Sequence, residues 1–271
     1  MDTKKRVKIY EVETEVISNN FVNDDYKHII LRAPHYILDI IPGQFFHLQC
    51  PTLEGSIAFL RRPMSVYQFC KRRAQIEFLY KLHGKGTLSI SYLKENNKFN
   101  IVGPLGTGFE LEKHYKNIVL VARGVGLATL APLAKLASER GINLFIICSA
   151  RSKNSLMSVD LFKSLSTELI FITDEDGSSS MSNLELLIKN IVETQTIDCF
   201  FTCGSNRILK LLKQVCASNN IPGQIALEQQ MACGIGMCFC CVRPFKIGNK
   251  IVHKRVCNEG PVFKIEEAMP W

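Results

Sequence analysis

Four cysteines near the carboxyl end carry the most specific chemical signal in the chain. Four residues separate Cys233 from Cys238, two separate Cys238 from Cys241, and fifteen lie between Cys241 and Cys257. Three thiols in one loop with a distant fourth is the spacing of a plant-type 2Fe-2S cluster, in which all four ligands are thiolates. Gly234 and Gly236 let the intervening backbone adopt positive φ and curl around an inorganic core with its N–H groups aimed at sulfur. Such hydrogen bonds raise the reduction potential of an anionic cluster. A structural zinc site is the alternative, although zinc normally takes its cysteines from two short-spaced knuckles. Cys240 abuts Cys241, breaks the spacing and reads as a non-ligand. Cys50, Cys70, Cys148, Cys199 and Cys216 lie in or beside apolar runs and read as small core residues. The six histidines are scattered without metal-ligand pairing, and none is assigned.

Composition narrows the context. The chain has 271 residues, 46% of them hydrophobic and 21% charged, enough to bury one large or two to three small domains, so wholesale disorder is excluded. Eleven cysteines is an odd number, and four of them fall within nine residues, which suits metal ligation in a reducing cytoplasm better than a secreted disulfide scaffold. Lysine and arginine number 33 against 25 acidic residues, a net charge of +8. That leaves room for an anionic cofactor or an acidic partner without demanding nucleic acid. The basic start, with Lys4-Lys5-Arg6, passes directly into alternating strand-like sequence and lacks a signal-peptide core. The longest apolar runs, such as Ile118-Val119-Leu120-Val121-Ala122, fall far below the roughly 18 to 20 residues of a membrane span. A cytoplasmic protein without a membrane span is expected.

The cysteine loop needs elements to position it. Alternating or β-branched runs at 7–16, 28–32, 44–49, 75–82 and 99–102 predict an antiparallel β-barrel or sandwich. From about 117 the rhythm becomes strand, helix, strand: strands at 117–122, 142–148, 168–173, 198–202 and 224–227 alternate with helices at 127–139, 183–192 and 206–217. That alternation predicts a Rossmann-like parallel α/β sheet covered by helices. The last 45 or so residues, rich in Cys and Gly with a short turn at 247–250, break both rhythms. The predicted organisation is multidomain, α/β plus β, with segments 1–112, 113–225 and 226–271.

In the first segment, Arg62-Pro63-Met64-Ser65 places an arginine and a hydroxyl where both can reach one diphosphate. Alone, the tetrapeptide is also what a surface strand looks like. Gly84-Lys85-Gly86-Thr87 runs into 88–93, a plausible helix start, and glycines ahead of a helix offer free N–H groups to an anion. Tyr80 could lie on an isoalloxazine face, an exposed strand tyrosine being the ordinary reading.

Taken in order, Pro42-Gly43-Gln44-Phe45, Arg62-Pro63-Met64-Ser65, Gly84-Lys85-Gly86-Thr87, Gly103-Pro104-Leu105-Gly106, the stretch Glu228 to Cys238 and Cys257-Asn258-Glu259-Gly260-Pro261-Val262-Phe263 resemble the electron-transfer subunit of class 1B dihydroorotate dehydrogenase, within the ferredoxin-NADP reductase superfamily. The resemblance spans nearly the whole chain. It implies a flavin barrel, a nicotinamide-nucleotide domain and a C-terminal 2Fe-2S domain. Carried over by position, Arg62, Pro63, Met64, Ser65, Leu79, Tyr80, Lys81, Gly86 and Thr87 would hold FAD, with Arg62 and Lys81 on its diphosphate. Gly124 and Gly126 would meet NAD(P)H, and Cys233, Cys238, Cys241 and Cys257 would hold the cluster.

The chain departs from that pattern in the nucleotide segment. Ala122-Arg123-Gly124-Val125-Gly126 stands where relatives carry a glycine triplet, Cys203-Gly204-Ser205 where they carry Cys-Gly-Pro, and Asp174-Glu175-Asp176-Gly177 where they carry Asp-Asp-Gly. Arg123 either obstructs the nucleotide or offers a cation to its phosphate. Arg151 and Lys153 either select a 2′-phosphate or are solvated charges at a helix start, and Lys71-Arg72-Arg73 reads as a turn in water.

The implied function is electron transfer among NAD(P)H, FAD and the cluster. It needs no acid, base or nucleophile from this chain, so no catalytic residue is assigned. A flavin-containing catalytic oxidoreductase subunit is the expected partner in a hetero-oligomer serving pyrimidine biosynthesis. The same role in a sulfite or sulfide reductase, a hydrogenase or a fermentative dehydrogenase remains open, as does a zinc-stabilised basic binding module.

Overall fold

The computed structural model describes residues 8–52 and 58–270. The basic group at 4–6, and residue 7 where the first strand is expected to begin, lie outside the described residues. The first segment supplies β1 (Tyr10–Phe21), β2 (Tyr26–Arg32), β3 (Phe45–Leu48), β4 (Arg62–Ser65), β5 (Gln68–Cys70), β6 (Gln75–Lys81), helix α1 (Gly84–Ser91) and β7 (Lys98–Leu105). The strands pair antiparallel in the order β4-β3-β7-β1-β2-β6-β5. Side chains alternate across a strand. Ile76, Phe78 and Tyr80 of β6 therefore join Ile29, Leu31, Phe46 and Leu48 in a core inside the curled sheet. The tyrosine is buried, with its hydroxyl donating to Asn19 Oδ1 at 2.8 Å, and is not an exposed strand residue.

The second segment runs β8 (Asn117–Arg123), α2 (Gly126–Glu139), β9 (Asn143–Ala150), α3 (Val159–Leu165), β10 (Glu168–Thr173), α4 (Met181–Thr194), β11 (Cys199–Cys203), α5 (Asn206–Asn219) and β12 (Gly223–Ala226). These strands are parallel, in the order β10-β9-β8-β11-β12. The continuous apolar run of β8 is explained by burial on both faces. Ile118 and Leu120 pack with Leu127, Leu130 and Leu133 of α2, while Val119 and Val121 pack with Leu184 of α4 and Leu209 of α5. Ser180 and Ser205 cap α4 and α5, accepting from the Asn183 and Ile208 amides, as short polar residues do at helix starts.

The third segment is a hairpin, β13 (Val242–Ile247) and β14 (Lys250–Arg255), then α6 (Val256–Glu259) and β15 (Val262–Lys264). The predicted turn at 247–250 is the tip of that hairpin. Strand β15 is a feature the sequence pattern missed: three residues that pair antiparallel with β12 and extend the parallel sheet. The seven-residue α3 was also unforeseen. Helix α1 begins at Gly84, so the glycines form its first turn and do not precede it. Cys70 departs from expectation too, being part-exposed on β5, whereas Cys50, Cys148, Cys199 and Cys216 are buried.

The order β9-β8-β11 makes the gap between β8 and β11 the switch point where the chain's winding reverses, the place where open α/β sheets receive ligands. Two glycines shape it. A Cβ on Gly126 would strike the Cys203 carbonyl, and Gly204 takes φ +141° with Arg123 beside it. Replacing Gly126 with Ala should cost about 1–3 kcal/mol, the range for overpacking against backbone, read as a lower thermal midpoint. An unchanged or raised midpoint, which relief of glycine entropy alone would produce, would show that the gap has slack.

Candidate functional site

A cleft of about 430 Å³ lies where the three segments meet, within the size range of cofactor sites. Strand β3 contributes Phe45, β4 contributes Arg62, Pro63, Met64 and Ser65, and β6 contributes Leu79, Tyr80 and Lys81. Thr87 of α1, Val125, Ala128 and Thr129 at the start of α2, and Leu227 to Gln229, Met231 and Pro261 close it. Every residue placed at the flavin by sequence lines this cleft except Gly86, which lies directly beneath Arg62. A Cβ on Gly86 would run into the Arg62 guanidinium. Only a glycine lets that cation lie on the first turn of α1, where the helix dipole already favours an anion. Arg62 Nη1 also donates to the Leu60 carbonyl at 2.5 Å.

Two side chains are committed elsewhere. The Lys81 ammonium, on the cleft wall, pairs with Asp25 at 3.3 Å. The Thr87 hydroxyl accepts the His83 amide at 2.7 Å and donates back to the His83 carbonyl at 2.9 Å. It fixes the helix start, and the anion-binding capacity belongs to the backbone amides of that turn.

In the cysteine loop the four predicted ligands come together as two pairs. The Met237 and Cys238 amides donate to Cys233 Sγ at 3.3 and 3.4 Å. Burial pushes the Cys233 thiol up, but hydrogen bonds from the backbone at Cys238, Ile235 and Met237 and from the Cys238 side chain outweigh it and bring it down to about 6. Cys241 and Cys257 are buried with their sulfurs 3.1 Å apart. Burial and then the neighbouring Cys241 push Cys257 up to about 12. Among the described residues no three His, Cys, Asp or Glu side chains gather around one point. A pair of thiols at each end fits two irons, whereas mononuclear zinc asks four ligands to share one centre. Cys240 is exposed, its Sγ 3.9 Å from the Gln230 carbonyl.

Arg255 braces the loop. It donates to the Gly236 carbonyl at 3.0 Å and pairs with Glu259 at 2.8 Å. From the barrel side, the buried His47 of β3 presses on Gly234. Sequence reasoning passed over His47 because one imidazole among Phe45, Phe46 and Leu48 carries no metal-ligand spacing.

At the nucleotide end, Gly124 has φ +54° and Gly126 opens α2. Arg123 does not stand over the gap between β8 and β11. Its guanidinium runs along the strand ends to Ser149 Oγ and Asp174 Oδ2, both at 2.6 Å. It thus ties β8, β9 and the turn after β10 together. Arg151 and Lys153 are exposed beside the 153–155 turn, and Lys71 pairs with Asp39 in the β5–β6 region.

A flavin-sized cleft between an antiparallel barrel and a parallel nucleotide sheet, with a four-cysteine loop at its edge, defines an oxidoreductase of the ferredoxin-NADP reductase type. Residues 228–268 match the family model described as the iron-sulfur cluster binding domain of dihydroorotate dehydrogenase B. The chain is 32% identical over 266 residues, covering 96% of it and 99% of the relative, to the dihydroorotate dehydrogenase B (NAD(+)) electron transfer subunit of Caldanaerobacter subterraneus subsp. tengcongensis. It is 28% identical over 251 residues, 93% of it and 95% of the relative, to the subunit of that name from Desulforamulus reducens. The chain belongs to the family of dihydroorotate dehydrogenase B electron transfer subunits. Among solved structures, the NADH-dependent reduced ferredoxin-NADP oxidoreductase described for flavin-based electron bifurcation superposes with TM-score 0.80 at 28% identity, over 95% of this chain and 90% of that one. Ferredoxin-NADP+ reductase from Plasmodium falciparum shares the fold at TM-score 0.61 and 12% identity, over 79% and 96%.

Two outcomes test these geometries. Arg62→Ala should weaken flavin binding by about 1.5–3 kcal/mol, the worth of a hydrogen bond to a charged group, and Gly86→Ala should follow it by displacing the same guanidinium. Flavin titration of the two variants reads this, and wild-type affinity in Gly86→Ala would remove the cradle. The Arg123 hydrogen bond, then that of Ser179, holds the Asp174 carboxyl below its ordinary range. A lowered folded-state value means the stabilisation is complete above the unfolded aspartate value of about 4 and is lost as pH falls through the folded one. Denaturant unfolding of the wild type against Asp174→Asn should differ by about 0.2–1 kcal/mol at neutral pH and converge in strong acid. A pH-independent difference would count against the strap.

Proposed function

We propose that the chain passes electrons between NAD(P)H and the catalytic subunit of a dihydroorotate dehydrogenase, through FAD held in the three-segment cleft and a 2Fe-2S cluster held by Cys233, Cys238, Cys241 and Cys257. The carrying observation is the abutment of the cleft and the thiol loop, since Met231 lines the cleft two residues before the first ligand. When bound, FAD would exchange one hydride, an electron pair, with a nicotinamide and single electrons with the cluster, which steps two-electron chemistry down to one.

The chain's own residues supply placement. In this reading Arg62 and the first turn of α1 at Gly86 and Thr87 hold the diphosphate, and Pro63, Met64, Ser65, Leu79, Tyr80 and Lys81 form the walls. Gly124 and Gly126 leave bare backbone for the nucleotide at the β8–β11 gap, with Arg123 drawn aside. Cys241 and Cys257 sit in a core continuous with Phe45 and with the parallel sheet, which keeps water from that side. The opposite edge is open: Cys238 is exposed beside Ile235, Met237 and Phe239, which are 46%, 75% and 63% exposed. Large apolar side chains on such an edge fit a covering protein, and the catalytic subunit is the occupant in this reading. The three segments 1–112, 113–225 and 226–271 act as flavin, nucleotide and cluster domains, with β15 returning to the nucleotide sheet. Among the described residues no helix is long and apolar enough to cross a membrane, and eleven unpaired thiols suit the reducing cytoplasm.

The likeness to the bifurcating NADH-dependent ferredoxin-NADP oxidoreductase supports a second reading, the same electron transfer within a different complex. Anaerobically purified protein should show flavin and iron-sulfur absorption that bleaches with NADH or dithionite, and should co-purify with a dihydroorotate-oxidising subunit. Cys257→Ser should lose the cluster and retain FAD. A colourless, zinc-containing preparation would sink the proposal, and a partner inert toward dihydroorotate would favour the second reading.

A further inference from the structure

His47 stands on β3 between the two sites. Its neighbour Phe46 points into the barrel core. Phe45 and His47, on the opposite face, lie with ring centroids 5.8 Å apart, Phe45 lining the flavin cleft. His47 is 2% exposed, and its Nε2 has no hydrogen-bond partner. A buried, unpaired ring nitrogen costs about as much as a lost hydrogen bond, so a native site normally supplies it with a partner. What Nε2 meets is the thiol loop: the position a Cβ would take on Gly234 lies 2.6 Å from it. Gly234, at φ +71°, is the one residue type that tolerates both the backbone conformation and the imidazole. Burial, with the charge of Arg61 second, pushes the imidazole down to about 4, and Nε2 can carry a proton in either protonation state of the ring.

We propose that His47 is a positioning residue for electron transfer, donating its Nε2 proton as a hydrogen bond to the sulfur of the group bound between Cys233 and Cys238. The inference rests on the cluster assignment above. A donor from the barrel supplies what the loop's own amides supply from the other side, stabilising the more negative, reduced state and raising its potential. It also ties the strand that carries Phe45 to the loop that carries the ligands, fixing the separation of the two sites.

The test compares wild type with His47→Leu, which removes the donor, and His47→Gln, which returns an N–H at similar reach. Cluster content is measured first, by the iron-sulfur absorption and the EPR signal after reduction. Absence of that signal in the wild type would overturn the cluster assignment itself. With the cluster present, His47→Leu should lower the reduced-to-oxidised ratio at fixed potential about tenfold, a shift of about 59 mV for a one-electron couple. It should also lose an exchangeable deuteron coupling in pulsed EPR recorded in D2O, and His47→Gln should recover both. An unchanged midpoint and coupling in His47→Leu would overturn the proposal while leaving the cluster assignment intact. Failure of Gln to differ from Leu would likewise reduce His47 to packing. Should the Leu variant not fold, His47→Met, closer in shape and equally without a donor, replaces it.

Discussion

Everything in this molecule depends on the carboxyl-terminal segment being wedged against both of the other two. Strand β15 adds to the parallel sheet through β12, while the Gly260 carbonyl accepts the Thr107 amide at 2.6 Å just beyond the last barrel strand. A single apolar core then runs from Val119 and Val121 of β8 through Phe45 to Phe245, Phe263 and the two buried thiols. Because protein interiors are close-packed, such a wedge leaves little freedom for the loop to drift relative to the cleft. Electron transfer between two bound groups demands this, since neither group is joined to the other covalently.

Burial is divided unequally around the thiols, and the division has consequences. Cys241 and Cys257 are sealed in the core, whereas Cys238 is exposed among apolar side chains. One thiol pair is insulated and the other lies toward the surface. The cations follow the same economy of placement. Arg62 is held over a bare glycine at a helix start, where its charge is directed into the cleft, while Lys81 is neutralised by Asp25 and Arg123 by Asp174. Of the net +8 read from composition, only a small part lies at the cleft.

Arg123 shows how a local departure can be absorbed by tertiary context. From the sequence, a long side chain in a nucleotide-binding turn could block the site or serve it. The neighbouring strand ends provide a hydroxyl from Ser149 and a carboxylate from Asp174, and the guanidinium satisfies itself along the sheet edge and not across the gap. Its fork geometry suits two such acceptors at once.

The gathering of four cysteines in one region, the barrel-then-α/β order and the tetrapeptide that lines the cleft were legible from residue type, period and spacing, because thiol spacing, alternation and helical repeats are local properties of a chain. Their limits were local as well. Strand β15 is three residues long and exists only because β12 offers an edge. Helix α1 starts at Gly84 because Thr87 folds back on His83. Tyr80 is buried because β6 joins the barrel core. His47 acquires meaning only when β3 brings it against Gly234, nearly two hundred residues away. Sequence by itself determined which groups are present and what they can bind. The tertiary structure decided which thiols pair, which cations remain available and which imidazole faces the loop, since those outcomes depend on contacts between segments that no local pattern encodes.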